Sequence, residues 1–117
     1  MDEIRKLASD LGRMIAKHER FLKLRAAEDA AGKDAETDKL LDSYEKQQQK
    51  LVELESKQQP IEPEDKKELQ RLSEAVHGNA HLQNLARAQA DYMELMNMVN
   101  RTIRGELDSD REEETAS

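Results

Sequence analysis

Cysteine is absent from this chain of 117 residues. The sequence therefore excludes disulfides, a catalytic thiolate, thiolate zinc and any iron–sulfur cluster bound through its own cysteines. Glycine and proline are scarce, with four and two residues, and only three side chains are aromatic. Because strand and turn residues are rare while Ala, Leu, Glu, Lys, Gln and Arg abound, the composition predicts an all-α protein.

Long hydrophobic runs are missing as well. No apolar stretch approaches the length of a membrane span, and the charged N-terminus is not followed by a secretory hydrophobic region. These features predict a cytoplasmic protein that does not associate with membranes. With 36% hydrophobic and 38% charged residues, the chain has apolar material for one domain of modest size.

The net charge of −7 is unevenly distributed along the chain. Residues 106–117 contain six acids and one arginine, whereas the rest of the chain is close to neutral. Such a segment has almost nothing to bury. We therefore predict a single helical domain over residues 1–105 and a disordered acidic tail over residues 106–117.

Helical periodicity and capping signals predict a helical hairpin in the first half of the chain. The first helix runs from about Asp2 to about Ala30, and Gly32 and Asp34 are the predicted C′ and next N-cap residues. The second helix runs from about Ala35 to about Lys57. Gln47 and Gln48 interrupt its apolar stripe, which indicates a hydrated or specific contact at its middle.

The second half of the chain predicts one short and one long helix. A break at Pro60 precedes a short helix from about Pro63 to about Val76, with Pro63 in its first turn. Asn79 is the predicted N-cap of the fourth helix. The predicted architecture is a long-helix hairpin or bundle with three long helices and one short helix.

The fourth helix carries a long apolar stripe with alternating spacings of three and four residues. Its members are Leu82, Leu85, Gln89, Tyr92, Met96, Val99 and Ile103. A stripe of this length indicates packing against other helices, so we predict self-association as a dimer or larger homo-oligomer. Gln89 is its one polar member, and we interpret it as a residue that fixes register or oligomeric state. Met93 and Met96 are expected in the ordinary helix core.

A basic stripe lies on the first helix. Its members are Lys6, Arg13, Lys17 and Arg20. Their spacing places them on one side of the helix, where they could contact RNA phosphates. No aromatic side chains for base stacking accompany them, and internal acids are plentiful, so a solvated or salt-bridged face is the favoured interpretation.

Residues that could carry catalysis form no recognisable site. His77 and His81 have the four-residue spacing of zinc ligands, but Gly78 and Asn79 lie between them at a helix boundary. His18 falls within the apolar stripe of the first helix, where a polar contact residue is the simpler explanation. Phosphate-binding loops and nucleophile elbows are absent, and the sequence does not contain the two Glu-x-x-His motifs that a di-iron bundle requires. We predict no enzyme activity, no cofactor and no metal.

The segment from Asn79 to Ile103 resembles the C-terminal helix of the YlbF/YmcA family of small bacterial helical proteins. The resemblance rests on the pair Ala88-Gln89, on Tyr92, on Val99-Asn100 and on Ile103. It continues upstream through Asp38, Leu41 and the stretch Glu62-Pro63-Glu64-Asp65, and it covers about Ile4 to Gly105.

This resemblance implies a non-catalytic regulatory or adaptor protein that self-associates and acts through protein complexes. The family's better-known members are linked to competence, sporulation and biofilm development, through a complex that assists an endoribonuclease in messenger RNA maturation. Some family complexes bind iron–sulfur clusters through cysteines, which this chain lacks. The alternative function left open by the residues is RNA binding through the basic stripe of the first helix.

Overall fold

The computed structural model describes the backbone of residues 1–116 and the side chains of residues 1–109. In this range the chain forms five helices and no strand, which confirms the all-α prediction. The helices are α1 (Asp2–Lys17), α2 (Glu19–Lys33), α3 (Ala35–Ser56), α4 (Pro63–Gly78) and α5 (Ala80–Ala116). They fall into two compact units: the first holds residues 1–24 and the chain from Arg87 onward, and the second holds residues 25–86.

The predicted boundary between the domain and its acidic tail lies within α5. This helix continues past Gly105 into the acidic segment. Side chains from residue 110 onward lie outside the described residues. The division into a domain at 1–105 and a disordered tail at 106–117 therefore stays a prediction.

The predicted first helix is two helices separated at His18. His18 is extended, with φ −71° and ψ 144°, and its N–H bonds the Ile15 carbonyl at the end of α1. Its ring Nδ1 accepts from the Arg20 N–H at 3.1 Å, and its carbonyl accepts from the Leu22 N–H. His18 thus satisfies backbone donors at the start of α2 as an N-cap does, so the prediction of one continuous helix is wrong here.

The chain passes from α2 to α3 without a left-handed glycine. Gly32 lies inside α2, and no described glycine has a positive φ, so its predicted C′ role is wrong. The chain passes from Lys33 directly into the extended residue Asp34, which is the N-cap of α3 as predicted. Because the N-cap residue already takes the extended conformation, no separate left-handed residue is needed.

In the second unit, the N-caps of α3 and α5 are joined through the buried Thr37. The Asp34 carboxylate accepts from the Thr37 N–H at 3.1 Å and from its hydroxyl at 2.6 Å. Asn79, the predicted cap of α5, accepts from the Leu82 N–H and donates to the Thr37 oxygen at 3.0 Å. The hydrogen bond from the Thr37 hydroxyl, and to a smaller extent the bond from its backbone N–H, hold the pKa of the Asp34 carboxyl below its usual value.

Helices α3 and α4 pack against each other in the second unit. The Gln47 side chain donates to the backbone carbonyl of Asp65 at 2.9 Å, and the Lys50 ammonium reaches the Asp65 carboxylate at 2.8 Å. Leu72 of α4 is buried. Gln47 therefore interrupts the apolar stripe of α3 because it makes a specific polar contact with the start of α4, as the sequence indicated.

Helix α3 ends in a turn at Gln58, which has a positive φ of 57°. The Gln59 N–H bonds the Leu54 carbonyl at 2.8 Å, and the Gln58 N–H bonds the Glu55 carbonyl at 3.0 Å. This pair of bonds is the Schellman motif, in which glycine is the usual left-handed residue. The chain then begins α4 at Pro63, the predicted first-turn position.

Candidate interaction surfaces

The apolar stripe of α5 is partly covered within the chain. Of its seven members, five are half-buried, namely Leu82, Leu85, Tyr92, Met96 and Val99. Gln89 and Ile103 are exposed. Among the described side chains of α5, Ala88 and Leu95 are buried, and each lies one position before a stripe member. The side of α5 that packs within the chain is therefore centred on Ala88 and Leu95. The edge of the stripe that lies farthest from these two residues is exposed to solvent, and we call it the open edge.

The start of α2 packs on the middle of α5 in the first unit. The rings of Phe21 and Tyr92 are 5.8 Å apart between centroids and tilted by 52°, a geometry typical of attractive aromatic pairs. Next to them, the Arg20 guanidinium donates to the Asp91 carbonyl at 3.1 Å and lies 3.9 Å from the Glu94 carboxylate. These contacts involve the covered edge of the stripe.

The open edge of α5 consists of Gln89, Met93, Ile103 and Leu107. Met93 is 56% exposed, so the expectation that it belongs to the core is wrong, whereas Met96 is half-buried. Helical rotation places Met93 on the side of the stripe away from Leu95, which explains its exposure. Met93 also lines a shallow open depression on the neighbouring face of α5, where Arg101 and Arg104 lie. The open edge offers apolar surface beside cationic side chains.

Gln89 makes no hydrogen bond within the described part of the chain, and its side chain is exposed. A glutamine that is free in the single chain can pair with a group on another chain. The proposed role of Gln89 as a register or oligomer-state residue stays a prediction.

The basic stripe divides into two parts in the structure. Lys6, Arg13 and Lys17 are exposed on α1, and Arg13 pairs with Asp10 at 3.0 Å. Arg20 lies beyond the His18 break and is held against α5 by Asp91 and Glu94. The structure therefore leaves three of the four basic residues facing solvent, and it uses the fourth to fix α2 on α5.

Sequence reasoning missed a third surface, the apolar side of α1. This helix contains no buried residue, and Ile4, Leu7 and Met14 are 69%, 69% and 71% exposed. Their periodicity predicts a helix. Periodicity shows that a helix is amphipathic, but it does not show whether its own chain covers the apolar side.

Chemistry-bearing side chains do not converge in the described part of the chain. Among those residues no group of three or more His, Asp or Glu side chains is placed to hold a metal ion. The His77 ring contacts the Ser73 carbonyl of its own helix at 2.7 Å. Among the described helices, each is too short or too polar to span a lipid bilayer.

Comparison with known proteins identifies the family. The family model for control of competence regulator ComK, YlbF/YmcA, matches residues 4–108. A chain of the crystal structure of Bacillus subtilis RicA in complex with RicF superposes with a TM-score of 0.79 at 17% identity, over 86% of this chain and 90% of that chain.

A protein of unknown function (DUF964) from Bacillus stearothermophilus superposes with a TM-score of 0.65 at 19% identity, over 91% of this chain and 93% of that protein. No curated protein sequence matches the chain. The two superpositions show a shared helical fold, and the family match spans nearly the whole chain. The chain belongs to the YlbF/YmcA family of competence control regulators.

Proposed function

We propose that this chain is a non-catalytic regulatory adaptor that self-associates, and that it binds other helical proteins through the open edge of α5. The observation that carries this proposal is the distribution of exposed apolar side chains. Among the described residues, the large apolar side chains left exposed lie in the first unit, with the exception of Val52. Apolar surface concentrated in this way is typical of interaction sites.

The comparisons support a protein partner. RicA forms a complex with RicF, and this chain shares the fold of a chain of that complex. We infer a complex of the same kind for this chain, with a helical partner on the open edge of α5. Ile103 and Met93 are the apolar anchors of that surface, and Gln89 sets the register of the contact.

The process we assign to this complex is developmental control of gene expression, as the family description of competence control suggests. Messenger RNA maturation, which the resemblance implies, is the step we place it near. The cytoplasm is the proposed place of action because that process occurs there.

The test uses the full chain with Ile103→Glu on the open edge of α5. Wild type and variant are compared as bait for capture from the native host, and transcript processing is followed in a deletion strain carrying each version. We expect Ile103→Glu to lose a partner that wild type retains and to reproduce the deletion phenotype. Gln48→Glu, an exposed change on α3, is the matched control. Retention of every partner by Ile103→Glu contradicts the proposal.

A second candidate function is RNA binding by the basic side of α1. It is favoured by Lys6 and Lys17, which are exposed and form no ion pair within the described residues. This function requires RNA affinity that falls with salt and falls further when Lys6 and Lys17 become Glu. Absence of RNA binding at low salt eliminates it.

A further inference from the structure

Helix α1 carries a straight line of apolar side chains that its own chain leaves largely open. Ile4, Leu7, Leu11 and Met14 are spaced by three, four and three residues, which are the a and d positions of a heptad. Leu11 is half-buried, and the other three are about 70% exposed. In a pair of packed helices, apolar residues at a and d positions form the line of contact. We call these four residues of α1 the seam, because they have the pattern of such a contact line but no second helix covers them.

We propose that the occupant of this seam is α1 of a second copy of the chain, packed antiparallel about a two-fold axis. In antiparallel pairs a positions face d positions, so Ile4 meets the partner's Met14 and Leu7 meets the partner's Leu11. The same contacts recur after exchange of the two chains, as a two-fold interface requires. This inference deepens the self-association in the proposed function and rests on it.

Charges beside the seam favour the antiparallel direction. Glu3, Asp10 and Lys17 occupy the g positions along one edge. In the antiparallel register g faces g, so Glu3 meets the partner's Lys17 at each end of the pair. A parallel pair sets g against e, where Glu3 meets Ala8 and Asp10 meets Ile15, and no ion pair forms. Charged g positions select orientation in this way.

At the middle of the seam two like charges face each other, and an ion pair within each chain reduces their repulsion. Asp10 faces the partner's Asp10 near the two-fold axis, but its carboxylate is already paired with Arg13 at 3.0 Å, which offsets the repulsion. On the other edge, Ala8 faces the partner's Ala8, and its small side chain allows close approach of the two helices.

The length of α1 sets the strength of this contact. The helix has 16 residues, so a pair of them spans about 24 Å. An interface of that length belongs to the small, reversible class. We therefore expect a dimer that dissociates on dilution.

The first part of the test measures the seam by sedimentation equilibrium of the full chain over a concentration series. Leu7→Glu places a charge in the seam and should abolish the dimer. Ser9→Glu adds the same charge on the exposed polar side of α1 and should leave the dimer unchanged. Because both sites are exposed, circular dichroism should show the same helicity for both variants. A dimer that persists in Leu7→Glu overturns the proposal.

The second part tests direction by charge exchange. Lys17→Glu sets acid against acid at both ends and should weaken the dimer about tenfold. Adding Glu3→Lys to that variant recreates the ion pairs and should restore the dissociation constant to about twofold of wild type. Lys6→Glu has the same charge change away from the seam and is the control. Failure of the double variant to recover overturns the antiparallel register.

The outcomes separate this inference from the proposed function. If Ile103→Glu dissociates the protein and Leu7→Glu does not, self-association through α5 stands and the α1 pairing is wrong. If wild type stays monomeric at every concentration, the α1 pairing is wrong, while the capture test with Ile103→Glu still decides the adaptor function. If monomeric chain sediments with anionic phospholipid vesicles and Leu7→Glu does not, the seam binds a membrane surface, and the proposal fails.

Discussion

Thr37 is the most enclosed polar residue in the described structure, with 0% of its surface exposed. Its hydroxyl lies between the cap of α3 and the cap of α5, whose residues are 42 positions apart in sequence. A buried hydroxyl in such a place stabilises the fold only while both neighbours keep their bonds to it.

Replacement of this hydroxyl by a methyl group tests that role. Thr37→Val keeps the shape of the side chain but leaves the Asn79 amide without its acceptor and removes the hydroxyl donor to Asp34, which keeps its bond from the backbone N–H of residue 37. We expect the free energy of unfolding to fall by about 1–3 kcal/mol, measured by urea denaturation. Thr37→Ser retains the hydroxyl and should lose less. Equal losses in the two variants would assign the effect to packing alone.

Gln58 is the residue with backbone strain in the described chain. A side chain with positive φ costs about 1–2 kcal/mol relative to glycine, and the Schellman bonds of α3 hold Gln58 in that conformation. We expect Gln58→Gly to raise the free energy of unfolding by about 1 kcal/mol. Gln59→Gly, at the next position, provides no such relief and should not stabilise. A thermal melt of the two variants compares them directly.

At the scale of the element, the ends of the helices were the best-predicted features. Asp34, Pro63 and Asn79 cap or begin helices where the sequence placed them, because their side chains carry the required acceptor or fixed φ. His18 was missed because histidine is not a favoured N-cap and because the apolar periodicity continues across it. Only the structure shows that its ring nitrogen accepts a backbone N–H.

The contact between α3 and α4 depends on pH through Asp65. The hydrogen bond from Lys50 holds the pKa of the Asp65 carboxyl below its usual value. A carboxyl whose pKa is lower in the folded state stabilises the fold above its unfolded pKa, and it loses that contribution as pH falls through the folded pKa.

Lys50→Met should therefore destabilise the protein at neutral pH, and its difference from wild type should disappear in strong acid. Urea denaturation at several pH values measures the difference. The control is Lys46→Met, which removes an exposed pair with Asp42 inside α3 and should show a smaller effect. A constant difference between Lys50→Met and wild type at all pH values would show that the Asp65 carboxylate is not its origin.

At the scale of the whole molecule, sequence periodicity identified which helices are amphipathic but not which sides the chain covers. The stripe of α5 was predicted as one surface, yet packing toward Ala88 and Leu95 divides it into a covered and an open edge. The apolar side of α1 is open as well. Which side is covered depends on helix rotation and on partner chains, and a single sequence determines neither.

Gln89 tests whether the open edge of α5 is an assembly surface. In one chain its side chain is exposed and unpaired within the described residues, so Gln89→Leu removes no internal bond. If the edge is buried between chains, the leucine adds apolar area there and removes a polar register constraint. We expect Gln89→Leu to keep or raise the thermal midpoint and to change the distribution of oligomers measured by native mass spectrometry.

Gln48→Leu makes the same chemical change at an exposed site on α3 and should alter neither the thermal midpoint nor the distribution of oligomers. It therefore separates an effect specific to Gln89 from nonspecific association caused by an added apolar side chain. An unchanged distribution for Gln89→Leu would remove its specifying role. Comparison with Leu7→Glu then assigns the remaining self-association to one helix: an oligomer that responds to Gln89→Leu but not to Leu7→Glu assembles through α5, and the reverse response places assembly on α1.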